Sequence, residues 1–334
     1  MPRLSLAHRP GNHCGSTSLR DLADYYGWGF DEAACFGLGS GLGFSFMRVS
    51  DSPQRLFFGR PSWLEWAFFE HVGVDHEIHE GQAFPDALDD VVTTVDAGAP
   101  VMIFTDLYYL DYYESSTHFS PHSLLVVGYD EDHVHLADSE FEAVQELPLD
   151  RLAEAMTSDH VTPLQCRYLT VEDPSLGADF ETGARVAIRE TATAMLDPAA
   201  GRGGGDADFG EQGVPAIRAF AADLPTWNDL DDPRWTARFA YPNVERRGTG
   251  GGAFRKMYAD FLDQAVEAVP IPADAPVRMH DIAAAWTDLG RVLYEASETD
   301  DAAERESHFA AASERASDLA DREAALYEDL RAAV

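Results

Sequence analysis

An α+β amino-terminal domain followed by an all-helical carboxy-terminal domain is the fold class this chain predicts. Three observations predict it. Helical periods and β-rich runs share the first part of the chain, the composition shifts near residue 172, and the pattern beyond is helical to the end. A length of 334 residues suits two domains, here placed at 1–172 and 173–334. With 45% hydrophobic residues there is enough apolar material for a core in each.

The elements follow in order. After Cys14, the residues Leu19, Leu22, Ala23 and Tyr26 recur at helical spacing, and Gly27 is a stop signal. The glycine-rich run "CFGLGSGLGF" predicts a loop, whose glycines let backbone pass close to the first helix or line a groove. "PSWLEWAFFEHVG" predicts a helix ending before Gly73. Another spans Asp86 to Ala97, with Leu88, Val91, Val92 and Val95 on one face. Three β-rich segments follow, "VMIFTDL", "HSLLVVGYD" and "DHVHLADS", the last two separated by hairpin-type turn residues. "LDRLAEAMTS" predicts a short helix and "LQCRYLTV" a closing strand. Helices first and a strand meander later is an α+β order. "DPAAGRGGGDADFGEQG" predicts a loop or linker, and amphipathic Ala-rich helices occupy the rest.

Charge excludes several functions. The chain carries 59 acidic against 24 basic residues, a net charge of −35, and Lys256 is its one lysine. Such a surface repels nucleic acid and anionic membranes. The acidic residues are spread along the whole sequence, as expected of a protein adapted to a salt-rich cytoplasm, where screening removes most self-repulsion. The beginning has no apolar signal-type segment and no run is long enough to span a bilayer, so the expected location is cytoplasmic. Three cysteines without CxxC spacing argue against a thiolate zinc site or a disulfide framework.

A thiol becomes a nucleophile when a helix N-terminus or an imidazolium stabilises its thiolate. Cys14 stands immediately before the first helix, with Gly15 and Ser16 after it. His122 opens an apolar strand that can aim it into a cleft, and Asp138 ends the next strand, where it can orient the imidazole. The expected catalytic set is therefore Cys14, His122 and Asp138. Cys35 and Cys166 lack that context and are expected in cores.

The order of these motifs resembles the papain-like cysteine-enzyme fold, in particular its C39-like peptidase branch. More narrowly, "GNHCGSTSLRDLADYYG", "CFGLGSGLGF" and "PHSLLVVGYD" resemble the N-terminal domain of the butirosin-biosynthesis protein H family. "VERRGTGGGAFRKMYADFL" resembles the helical domain of unassigned function often fused to it. The resemblance implies an acyltransferase that takes an aminoacyl group from a carrier-protein thioester and passes it to an amine. Cys14 would accept the acyl group, His122 would act as base and acid, and Asp138 would orient His122. No cofactor is implied; a phosphopantetheine-borne acyl group would be substrate, and an acyl carrier protein and a small amine would be partners. Papain-like hydrolases place a Gln before the Cys for the oxyanion. Here "LAHRPGNH" has none, so the Cys14 N–H with Asn12 or His13 would have to serve.

Other readings stay open. A peptidase or amidase would use the same residues with water as acceptor, and a non-catalytic scaffold could keep the fold. His133 and His135 form an HxH pair, but further ligands are not apparent, and no metal is expected. "ERRGTGGGAFRK" gathers Arg246, Arg247, Arg255 and Lys256 around Gly250 and Gly251 before a helix. It is either an anion or substrate site or a turn leading into that helix.

Overall fold

The computed structural model describes residues 3–203 and 210–334. The centre of the predicted linker, 204–209, lies outside the described residues. In chain order the elements begin with α1 (Cys14–Tyr26), α2 (Glu32–Leu38), β1 (Ser45–Arg48), β2 (Arg55–Phe58) and α3 (Leu64–Val72). Then come β3 (Asp75–His79), α4 (Phe84–Asp96), β4 (Val101–Thr105), β5 (His122–Tyr129), β6 (His133–Ala137) and β7 (Gln145–Pro148). They continue with α5 (Leu149–Thr157), β8 (Tyr168–Asp173), α6 (Phe180–Leu196) and β9 (Glu211–Gln212). Five helices close the chain: α7 (Gly213–Asp223), α8 (Pro233–Glu245), α9 (Arg255–Ala265), α10 (Ala275–Glu298) and α11 (Ala302–Ala333).

The fold is mixed, with a β-sheet amino-terminal region and a helical carboxy-terminal region. Its two compact units divide the chain differently from the consecutive segments 1–172 and 173–334. One unit takes Met1–Cys35 with Val72–Gly177, and the other takes Phe36–His71 with Ala178–Val334.

The first unit is built on a six-stranded antiparallel sheet in the order β3-β8-β4-β5-β6-β7. Its inner strands are apolar throughout because helices cover them, which is why "VMIFT" and "SLLVV" read as runs rather than alternations. Val101, Ile103, Leu124, Val126, Val134 and Leu136 pack with Ala87, Val91 and Val95 of α4 and Leu152 and Ala155 of α5. The β4–β5 register runs from Val101↔Val126 to Thr105↔His122, which places His122 at the start of a rigid central strand. β6 pairs on the other side of β5, with Leu125↔Ala137, so the residue after Ala137 falls beside the start of β5.

The second unit is helical around a small antiparallel sheet, β2-β1-β9. Part of the glycine-rich run expected as a loop is helix: α2 includes Cys35 to Leu38. A Cβ on Gly37 would stand 1.9 Å from Cγ of Phe261, and one on Gly41 would stand 2.5 Å from Leu64 Cδ1. These glycines let the backbone press against side chains of its own unit.

Candidate active site

α1 starts at Cys14, and its N-cap is His13. The His13 backbone is extended (φ −133°, ψ 134°), and its ring Nδ1 accepts the Ser16 N–H at 3.2 Å. That bond satisfies one of the donors a helix leaves open at its start. Gly27 ends the helix in the left-handed conformation, φ 76°, with its N–H on the Ala23 carbonyl. Cys14 is thus held at the first turn by caps at both ends of α1.

A carboxylate braces this turn from outside. Glu32 Oε1 accepts the N–H groups of Asn12 and His13, at 2.8 and 2.9 Å, and Oε2 accepts Asn12 Nδ2 at 3.1 Å. The hydroxyls of Ser16 and Thr17 also donate to Oε1. Asn12, expected as an oxyanion donor, is drawn towards Glu32. Its N–H and its amide are directed at Glu32, and so is the His13 backbone N–H.

Facing Cys14 is His122, close enough for the thiol and the imidazole to shift one another's titration. His122 Nε2 lies 3.0 Å from Asp138 Oδ2, which leaves Nδ1 as the nitrogen available to Cys14. Asp138 is fully buried and also accepts Tyr112 Oη–H at Oδ2 and Tyr113 Oη–H at Oδ1, both at 2.9 Å. The Tyr113 ring meets the His122 imidazole edge to face, with centroids 5.6 Å apart. Asp138 thus holds His122 at the Cys14 site, and His13 Nε2 lies 3.9 Å from Cys14 Sγ.

The electrostatics fit a thiolate–imidazolium pair. Burial pushes the Cys14 thiol up, but the His13 and His122 rings outweigh it and hold the thiol well below its usual range. Burial likewise opposes the charge of His122, yet Asp138 and Cys14 raise it well above an ordinary imidazole. Asp138 is lowered despite its burial by His122 and the two tyrosines. Cys35 is the contrast: equally enclosed and near acidic groups, it is raised well above the thiol range. Of the three buried cysteines, Cys14 keeps the largest exposure, 9%.

Behind the site, His8 donates from Nδ1 to Asp21 Oδ2 at 2.5 Å. Its Nε2 donates to the carbonyls of Phe141 and Asp138, at 2.8 and 3.2 Å. Both nitrogens face acceptors, which favours the charged ring, and His8 ties the amino-terminal segment to the residue orienting His122. Sequence reasoning missed Glu32, His8, Tyr112 and Tyr113. The tyrosines had a signal in "LYYLDYY" just upstream of His122; Glu32 and His8 had none, since their partners are set by tertiary approach.

The residues expected around Gly250 and Gly251 lie in the second unit, where Arg255 and several N–H groups of the turn are engaged within the protein. Arg255 is fully buried, with Nε and Nη2 on the Glu323 carboxylate at 2.9 Å each and Nη1 on the carbonyls of Gly43 and Ala253. Trp286 Nε1 donates to Glu323 as well. The N–H groups of the turn are also engaged: Gly251 donates to Thr249 Oγ1, Gly252 to Glu245 Oε1, and Ala253 to the Val244 carbonyl. Gly250 and Gly251 have φ of 64° and 94°, so their role is to turn the chain. Arg247 donates to Asn243 Oδ1 and lies over Phe239, and Arg246 lies over Tyr241 beside a cavity of about 340 Å³. His133 and His135 face Asp130, with Glu146 also near His135, at 3.4 to 3.9 Å. Among the described residues, Asp260, Asp263 and His280 bring three potential metal-ligating atoms within 4.8 Å of one another, with both carboxylates exposed.

The site thus gathers a cysteine at a helix N-terminus, a histidine opening a strand and a buried aspartate bonded to that histidine. Residues 13–139 match the family described as butirosin biosynthesis protein H, N-terminal, and residues 150–330 match a domain of unknown function, DUF4872. The chain belongs to this two-domain, acyltransferase-related butirosin-biosynthesis protein H family. A search of curated proteins gave no significant match.

Proposed function

We propose that this protein is a cysteine-dependent acyltransferase that moves an acyl or aminoacyl group from a carrier-protein thioester to an amine. The observation that carries the reading is the Cys14–His122–Asp138 set, with the thiol lowered and the imidazole raised. The Cys14 thiolate attacks the donor carbonyl, and the tetrahedral intermediate collapses as the donor thiolate leaves and takes the proton of His122. The acyl group is then a thioester on Sγ. An amine attacks that carbonyl, His122 takes the amine proton, and Sγ departs as thiolate. Asp138 holds the ring throughout and stabilises its charge.

The phosphopantetheine arm of a carrier would be substrate in this scheme. Incubation with a panel of acyl thioesters followed by intact-mass analysis tests it. The wild type should gain one acyl mass and lose it when an amine is added, and Cys14→Ala should gain none. A panel that leaves no Cys14-dependent adduct would overturn the transferase. Peptide cleavage that needs no amine would replace it with a peptidase or amidase.

A further inference from the structure

We infer that the side chain of His13, as its Nε2–H tautomer, is the second oxyanion donor of this site. It takes the part for which papain-like enzymes use a glutamine amide. The inference rests on reading Cys14 as the nucleophile.

The donors around Cys14 can be followed one by one. A tetrahedral intermediate on Sγ needs N–H groups about 2.7–3.1 Å from its oxyanion. The residues before Cys14 offer three candidates besides its own N–H: the backbone N–H and side-chain amide of Asn12, and the backbone N–H of His13. Both backbone N–H groups and one N–H of the Asn12 amide are directed at the Glu32 carboxylate. The helix start therefore presents to Sγ the N–H of Cys14 and the ring of His13.

The capping bond sets which ring nitrogen carries the proton. Nδ1 accepts the Ser16 N–H, which assigns the ring N–H to Nε2. Nε2 is the atom that lies 3.9 Å from Sγ. An oxygen on the carbon bonded to Sγ falls within reach of a donor so placed. His13 is 4% exposed, so the N–H acts where water competes little. Its cap to Ser16 and the brace from Glu32 keep the ring from rotating away. One histidine thus caps α1 through Nδ1 and aims Nε2–H at the place where negative charge develops.

Two reagents separate this role from a mere effect on the thiolate. Iodoacetamide alkylates Sγ at a saturated carbon, and iodide leaves without an oxyanion forming. With p-nitrophenyl acetate an Sγ–C bond forms while the carbonyl π pair moves onto oxygen. The pair then returns and nitrophenolate leaves. Both second-order rates are measured on the plateau of their pH profiles for the full-length wild type, His13→Leu, His13→Ser and His13→Gln. Expected is a fall of about 10²–10³-fold in acetylation for His13→Leu, with alkylation changed only a few-fold. His13→Ser keeps a capping oxygen but no donor near Sγ, so it should match His13→Leu and carries the test if the latter fails to fold. His13→Gln should recover at least tenfold of the loss. Parallel falls in both rates, an unchanged acetylation rate, or a Gln variant no better than Leu would overturn the assignment. p-Nitrophenyl acetate needs no natural donor, so a failed thioester panel would sink the transferase and leave these rates readable.

Discussion

His122 and Cys14 titrate as partners, and the consequence is visible in one pH profile. The thiol is lowered from 9.0 and the imidazole raised from 6.5, so the ion pair fills the interval between the two shifted values. Alkylation of Cys14 should therefore begin well below pH 8. In His122→Ala the acid limb should move up towards the ordinary thiol range, read from iodoacetamide rates across pH. Asp138→Asn should lower acyl transfer on the order of 10²-fold or more, since an amide can hold the wrong ring tautomer. His8 sets a second pH dependence. Although burial opposes its charge, Asp21 and the carbonyls of Phe141 and Asp138 raise it above 6.5. A raised imidazole stabilises the fold fully below the unfolded value, and that contribution is lost as pH rises through the folded one. The Tm difference between wild type and His8→Gln should accordingly be largest in mild acid and shrink on the alkaline side.

At the scale of elements, the working parts are two short turns rather than the helices and strands they join. The turn 12–17 is fixed by Glu32, which collects five donors on one carboxylate. Glu32→Ala strands several of them, and a loss of about 1–3 kcal/mol is expected from denaturant unfolding, with Glu32→Gln milder. The turn at Asp111–Tyr113 delivers two phenols to Asp138. This is also where legibility in the sequence divides. β4 and β5 could be read because fully covered strands are apolar runs, and β6 and β8 because part of each is apolar and buried. Cys14, His122 and Asp138 could be picked out because Cys14 opens α1, His122 opens β5 and Asp138 follows β6. β3 escaped because "DHEIH" is polar and largely exposed, held by its ladder with β8 rather than by a hydrophobic pattern. α2 escaped because Gly37 argues against helix in isolation, and only the Phe261 ring explains its place. Glu32 looked like any acidic residue in a chain with 59 of them.

For the whole molecule, the net charge of −35 makes self-repulsion a term that salt can screen. Raising KCl from 0.1 to 1 M shortens the screening length from about 10 to about 3 Å, so Tm should rise across that range. The helical unit also contains a fully buried Arg255–Glu323 pair. Glu323→Ala leaves a guanidinium uncompensated and should cost about 3–5 kcal/mol in denaturant unfolding. The segment Phe36–His71, which belongs to that unit although it precedes most of the other, carries a consequence for synthesis. Its Gly43 carbonyl waits for Arg255, 212 residues later, and the Phe57 carbonyl waits for Asn243, 186 residues later. At the usual pace of a ribosome that is a delay of roughly 10 to 40 s. During it Phe36, Phe44, Phe46, Phe57, Phe68 and Phe69, all buried in the finished protein, stand without most of their partners. A chain stalled at residue 177 should therefore be held by chaperones or precipitate while the released full-length protein does not. Translation speed across the helical half thus sets how long this protein is exposed to aggregation.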